Sequence, residues 1–241
     1  MRLSISALRI LCVLACTSAA HASSTPARLT LGEDSIEELI RVPDGLALGQ
    51  YKIFCEAIIA ATGATQGFYC YSAAGTPVTL VNAAVRAGEK ASFIPATLDG
   101  QKQAVYMLMM VVVQITNSEP LVLVVPNNGV DAERYGLFYT APQRLNSFRW
   151  RTSKVVPSQR EDARVSMTMR IDEKGNVTER AAVNVSGADP LLLSVVDDRM
   201  STLQFIPGYF NRKPAPMLHV EMMHFLGHQD ARSVTTERRT R

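Results

Sequence analysis

Cysteine, histidine and methionine are the residues of this chain whose types and spacing could do chemistry. Of its four cysteines, Cys12 and Cys16 lie in an apolar N-terminal stretch, while Cys55 and Cys70 stand 15 residues apart in the body of the chain. In an oxidising compartment such a pair reads as a disulfide. The alternatives are a free reactive thiol or a metal site. No histidine lies near enough to complete a metal set, and redox pairs favour Cys-x-x-Cys spacing. Cys55 and Cys70 lie equally far either side of Thr62-Gly63, which places them opposite one another on adjacent strands as a structural staple. His219 and His224 are five apart, so on a strand they point to opposite faces, and His228 lies beyond that strand. That spacing gives no convergent metal ligands. Met107, Met109, Met110, Met217, Met222 and Met223 fall in apolar runs and read as core filling rather than as an adaptable binding face. Gly-x-Ser-x-Gly, His-Glu-x-x-His and a phosphate loop are all absent, and Asp197-Asp198 reads as the solvated face of a helix. The expectation is a non-catalytic protein without a cofactor.

Compartment and charge follow from the first residues. Arg2 precedes an apolar stretch from about Leu3 to Ala20, broken at Arg9 and closed by Ala20-His21-Ala22, the small-x-small pattern of a signal-peptidase site. Its core, Ile10 to Ala15, is far shorter than the ~20 apolar residues that span a bilayer. Cleavage after Ala22, export and no stable membrane span are therefore expected. Loss of Arg2 and Arg9 lowers the formal charge from +3 to +1, which gives no reason to expect nucleic acid or an anionic membrane as partner.

The elements that must position these residues repeat. Shifted by 112 positions, Ile59 meets Ile171, Gly63 meets Gly175, Gly75 meets Gly187, and Phe93-Ile94-Pro95 meets Phe205-Ile206-Pro207, without a gap from Lys52/Arg164 to Val113/Phe225. Each copy opens with an apolar strand, Lys52 to Ile59 or Val165 to Ile171, followed by a glycine turn that needs positive φ. A second strand follows, Thr65 to Ser72 or Val177 to Val185. Thr76-Pro77 and Asp189-Pro190 then read as an N-cap oxygen before a proline at the first helical position. The helices bury Leu192, Val196, Met200 and Leu203 in copy two, and Val81, Ala84, Val85 and Gly88 in copy one. Phe-Ile-Pro ends each helix, and a polar loop leads to a last strand, Ala104 to Ile115 or Met217 to Phe225. The run Val105 to Val113 reads as a buried strand. The fold class expected is α+β, two ββαβ units, each a helix packed on a small antiparallel sheet.

Copy two, "VSMTMRIDEKGNVTERAAVNVSGADPLLLSVVDDRMSTLQFIPGYFNRKPAPMLHVEMMHF", resembles the C-terminal domain of TonB-type energy transducers. The resemblance rests on Asp172, Gly175 and Val177, on Ser186-Gly187 before the helix, and on Phe205, Pro207 and Pro214 ahead of the final strand. Copy one is similar in its last third. Val156-Pro157 is the nearest counterpart of the family's Tyr-Pro element. The resemblance implies a protein-binding module whose partner adds as a strand to the last strand: Met217, Leu218, His219, Val220, Glu221, Met222, Met223 and His224. The implied location is the periplasm, and the implied partner is an extended segment of an envelope or outer-membrane protein. An assembly role with packed edges, a homodimer, or an accessory role in TonB-dependent transport are the alternatives. Neither the family's spanning helix nor its Pro-rich spacer is expected here from the 1–50 segment, an expectation that favours a binding module over an energy transducer.

The expected organisation is a signal peptide at 1–22, a lead at 23–50, unit one at 51–116, a connecting segment at 117–163, unit two at 164–227 and a mobile basic tail at 228–241. In the connecting segment, "EPLVLVV" before Pro126-Asn127-Asn128-Gly129 reads as a strand and a turn. Tyr135, Phe138, Tyr139, Phe148 and Trp150 are expected to dock the units together.

Overall fold

The computed structural model describes residues 23–72, 74–145 and 161–225. The expected signal peptide, the basic tail, Phe148, Trp150, Val156-Pro157 and His228 lie outside the described residues. The fold is α+β, and among the described residues no helix is long and apolar enough to cross a membrane.

Two short strands, β1 (Ser24–Thr25) and β2 (Arg28–Leu29), and a one-turn helix α1 (Ile36–Leu39) precede the first long hairpin. That hairpin is β3 (Gly49–Ile59) and β4 (Thr65–Ser72), in register with Cys55 opposite Cys70, and a disulfide joins the two. Helix α2 (Val78–Lys90) packs Leu80, Ala83, Ala84, Ala87 and Gly88 on the sheet, one step round from the face expected. Its cap also departs from expectation: Pro77 is itself the N-cap and Thr76 makes no cap bond, since the chain stays extended one residue longer. After β5 (Phe93–Ile94), β6 (Ala96–Leu98) and β7 (Gln101–Gln103) comes β8 (Val105–Ile115), paired with β3 along its whole length. Both faces of β8 are covered: Met107, Met109, Val111 and Val113 face the α2 side, while Met110 and Val112 pack with Val125. A strand buried on both faces reads as a continuous apolar run rather than an alternation.

β9 (Leu121–Val125) pairs with β8, and α3 (Ala132–Tyr135) and β10 (Gln143–Leu145) follow. The second half runs through β11 (Ala163–Ile171), β12 (Val177–Ser186) and α4 (Pro190–Ser201), then β13 (Phe205–Ile206), β14 (Gly208–Phe210), β15 (Lys213–Ala215) and β16 (Met217–Phe225). Here the cap is as read: the Asp189 side chain accepts from the Leu192 N–H, with Pro190 at the first helical turn. Leu192, Val196, Met200 and Leu203 are all buried.

The repeated glycine and phenylalanine are held together by one contact. The Phe93 N–H donates to Gly63 O at 2.9 Å, and the Phe205 N–H to Gly175 O at 3.1 Å. A Cβ on Gly63 would lie 2.2 Å from Phe93 O, and one on Gly175 would lie 2.0 Å from Phe205 O, with φ of 90° and 85°. Only glycine satisfies both the positive φ and the close approach. The correspondence also reaches the segments read as lead and connector. β2 pairs with β5 (Leu29↔Phe93), and β10 pairs with β13 (Arg144↔Phe205), so each Phe-Ile strand takes a partner from the segment before its hairpin. The two partner segments meet through buried Gln143, whose Nε2 donates to Ala27 O at 2.8 Å and whose Oε1 accepts from the Ala27 N–H at 2.7 Å. Because β10 pairs with β8 as well, one sheet in the order β13-β10-β8-β3-β4 runs from the first half into the second, beside a separate sheet β12-β11-β16.

Candidate partner-binding edge and the buried ion pair beside it

β16 is the outer strand of its sheet, paired one-to-one with β11 from Met217↔Ile171 to Phe225↔Ala163 without a register shift. The eight residues expected as the binding edge divide by face. Met217, His219, Glu221 and Met223 are buried; Leu218 and Val220 are half-buried, and Met222 and His224 are exposed. Five-residue spacing does put His219 and His224 on opposite faces, and His224 lies 3.9 Å from the Asp162 carboxylate.

The backbone of this strand has a partly covered edge. The Tyr135 hydroxyl donates to Pro216 O at 2.9 Å, and the Leu218 N–H donates to Asp131 Oδ2 at 2.7 Å. Residues of an antiparallel strand alternate between bonding one neighbour and the other, so the N–H and C=O of Val220, Met222 and His224 face the same outer side as those of Leu218. None of these three N–H groups has a partner on that side among the described residues. The opposite edge of the sheet differs. Register shifts leave Thr178 and Val183 of β12 unpaired as bulges, which twist an edge away from further pairing. Beside the open part of β16 lies a cleft of ≈ 220 Å³, lined by Val220 and Met222 on one side and by Phe54, Glu56 and Tyr71 from the β3–β4 hairpin. Phe54 and Tyr71 stack with ring centroids 5.7 Å apart.

Directly inside the edge is a buried charged cluster. Glu221 accepts from His219 Nε2 at 3.0 Å and pairs with Arg144 Nη2 at 3.3 Å. The Arg144 guanidinium also lies over the Tyr106 ring, 4.8 Å from its centroid, and the Tyr106 hydroxyl donates to Glu56. Arg144 Nε and Nη1 and His219 Nδ1 are buried without a hydrogen-bond partner among the described residues. Burial by itself would raise the Glu221 carboxyl, but the His219 hydrogen bond and the Arg144 charge outweigh it and hold Glu221 below the ordinary glutamate value. For Glu56 burial wins over the Tyr106 hydrogen bond, and its carboxyl is raised. Burial likewise raises Asp131, against the opposing Leu218 N–H, and pushes the Tyr139 hydroxyl up to about 12.

Of the aromatics expected to dock the halves, Tyr139 is buried with Met217, and Tyr135 packs against Phe210 with centroids 5.0 Å apart. Phe138 does not dock: it is 75% exposed. Sequence reasoning did not find Glu56, Tyr106, Asp131 or Arg144. The available signal was a carboxylate inside an apolar strand, Glu56 between Cys55 and Ala57 and Glu221 between Val220 and Met222, since a buried charge requires a partner. Among the described residues no three His, Cys, Asp or Glu side chains converge as a metal set. No family model, curated protein or solved structure matches this chain.

Proposed function

We propose that the protein is an exported, non-catalytic binding module of the bacterial envelope, built from two tandem ββαβ units. It captures an extended segment of an envelope or outer-membrane protein by adding it to β16 from Val220 to His224. The observation that carries this reading is the outer edge of Val220, Met222 and His224, unpaired among the described residues, on a strand whose other side is regularly paired. Main-chain hydrogen bonds would supply affinity, and the neighbouring cleft with its Phe54–Tyr71 wall would accept a side chain and so supply selectivity. Tyr135 and Asp131 cap the start of the edge, so the incoming strand has a defined end.

Amide exchange and one substitution test this. In the free protein the Val220, Met222 and His224 amides should exchange quickly while Leu218 is protected, and an extended peptide selected by display on the intact chain should protect all three. Val220→Pro removes an outward N–H without removing a bond to β11, and proline is tolerated at such edge positions. It should leave the circular dichroism unchanged and abolish capture of the selected peptide. Unchanged capture by a folded Val220→Pro protein would falsify strand addition. Concentration-dependent protection of the same amides in the free protein would show instead that a second copy of the chain covers the edge.

A further inference from the structure

The hairpin β14–β15 carries a side chain where its counterpart has none. Two residues join the strands in both hairpins: Asp99-Gly100 between Leu98 and Gln101, and Asn211-Arg212 between Phe210 and Lys213. Each pair has positive φ, 51° and 75° in the first, 50° and 62° in the second. That is the backbone of a type I′ turn, whose second position glycine fills without strain. Arg212 holds the same conformation with a Cβ, which is strained for an L-residue. It makes no ion pair among the described residues that would offset the strain.

Arg212 lines a cleft of ≈ 620 Å³ where the first strands of the chain, the segment before β10 and this hairpin meet. Arg28, exposed and likewise without an ion pair among the described residues, is a second guanidinium in its lining, and no carboxylate among the described residues lines it. The walls include Tyr209 and the exposed Phe138. Tyr209 is tied to the backbone of Ser24, 185 residues away in sequence, so the cleft wall is held across the fold. Its volume lies in the usual range for ligand sites, roughly 300–1,000 Å³.

We propose that this cleft binds a carboxylate ligand carrying an apolar or aromatic group. Arg28 and Arg212 take the carboxylate, for which the planar guanidinium fork is suited, and Phe138 covers the apolar part. Two sources share this chemistry, a free aromatic acid and the C-terminus of a peptide ending in an apolar residue.

The test is calorimetric titration of the intact, disulfide-bonded chain with N-acetylphenylalanine, its amide, and a pentapeptide ending in phenylalanine with a free carboxylate. The acid should bind and the amide should be weaker by about tenfold or more. Arg28→Gln should weaken the acid to a similar extent. Arg212→Gly should also lose about tenfold in affinity while its Tm rises, because glycine takes the positive φ without strain. A pentapeptide that binds more tightly than the acid identifies a peptide C-terminus as the ligand, and equal affinity identifies a free acid. Absence of binding, equal affinity for acid and amide, or an Arg212→Gly protein that binds as well as the parent would each overturn the proposal. So would an Arg212→Gly protein with a lowered Tm, which would make the arginine a structural residue.

Discussion

Removing Glu221 by Glu221→Ala tests whether the two halves pack as described. The substitution deletes two charge-assisted contacts, from His219 at 3.0 Å and from Arg144 at 3.3 Å, in a place where Arg144 is itself buried. Contacts to charged groups contribute about 1.5–3 kcal/mol each, and breaking a buried pair from one side costs about 3–5 kcal/mol. Arg144 keeps the Tyr106 ring at 4.8 Å, so the lower end of that range, about 3 kcal/mol, is the expected loss. For a chain of this size that is a fall in Tm of about 6–12 °C. Urea unfolding followed by circular dichroism would measure it. The double variant Arg144→Met, Glu221→Met removes both charges together and should return most of the lost stability, because the desolvation cost disappears with them. Since the Glu221 carboxyl is held below its ordinary value, the pair's contribution is present above that ordinary value and lost as pH falls through the lowered one. A Glu221→Ala loss under about 1 kcal/mol, the size typical of exposed pairs, would refute the reasoning by showing that solvent reaches the pair.

Two further outcomes follow from neighbouring contacts. Glu56 is raised by burial, so its contribution to stability is present below the ordinary glutamate value and lost as pH rises through the raised one. Glu56→Gln still accepts from Tyr106 and never ionises, so thermal melts should show it more stable than the parent near neutral pH, with the difference closing in acid. The Cys55–Cys70 bridge closes a short loop between adjacent strands, and replacing both cysteines by alanine should cost about 3 kcal/mol on the chain-entropy account. Thiol titration of the unfolded parent without reductant should find neither cysteine free.

Much of the backbone plan was legible because it depends on local rules. Cys55 and Cys70 flank a turn whose glycine announces itself, so strand geometry alone places them opposite. Alternation at Val165, Met167, Met169 and Ile171 marks the core face of β11, and Asp189-Pro190 marks the start of α4. Where a local rule had two neighbouring solutions, sequence reading chose less well, as at Thr76-Pro77, which sits one residue earlier relative to its helix than the corresponding Asp189-Pro190 does. The last strand was expected as the binding edge, and it is the outer strand of its sheet. What the sequence did not show is that its start is covered by Asp131 and Tyr135, which lie 87 and 81 residues away from their contacts at Leu218 and Pro216.

By itself the sequence determined the two long hairpins, the two long helices, the disulfide partners and the corner made by each Phe-Ile-Pro. These follow from φ preferences, side-chain periodicity and spacing within a few dozen residues. The one-turn helices α1 and α3 and the short hairpins β6–β7 and β14–β15 were not read from the sequence. Only the tertiary structure decided that Glu221 meets Arg144, that Glu56 meets Tyr106, that Gln143 clasps Ala27, and that Arg28 and Arg212 share a cleft. Those pairings depend on how one sheet continues through β10 into the second half. Nothing in the local pattern around a charged residue specifies which distant strand will neutralise it.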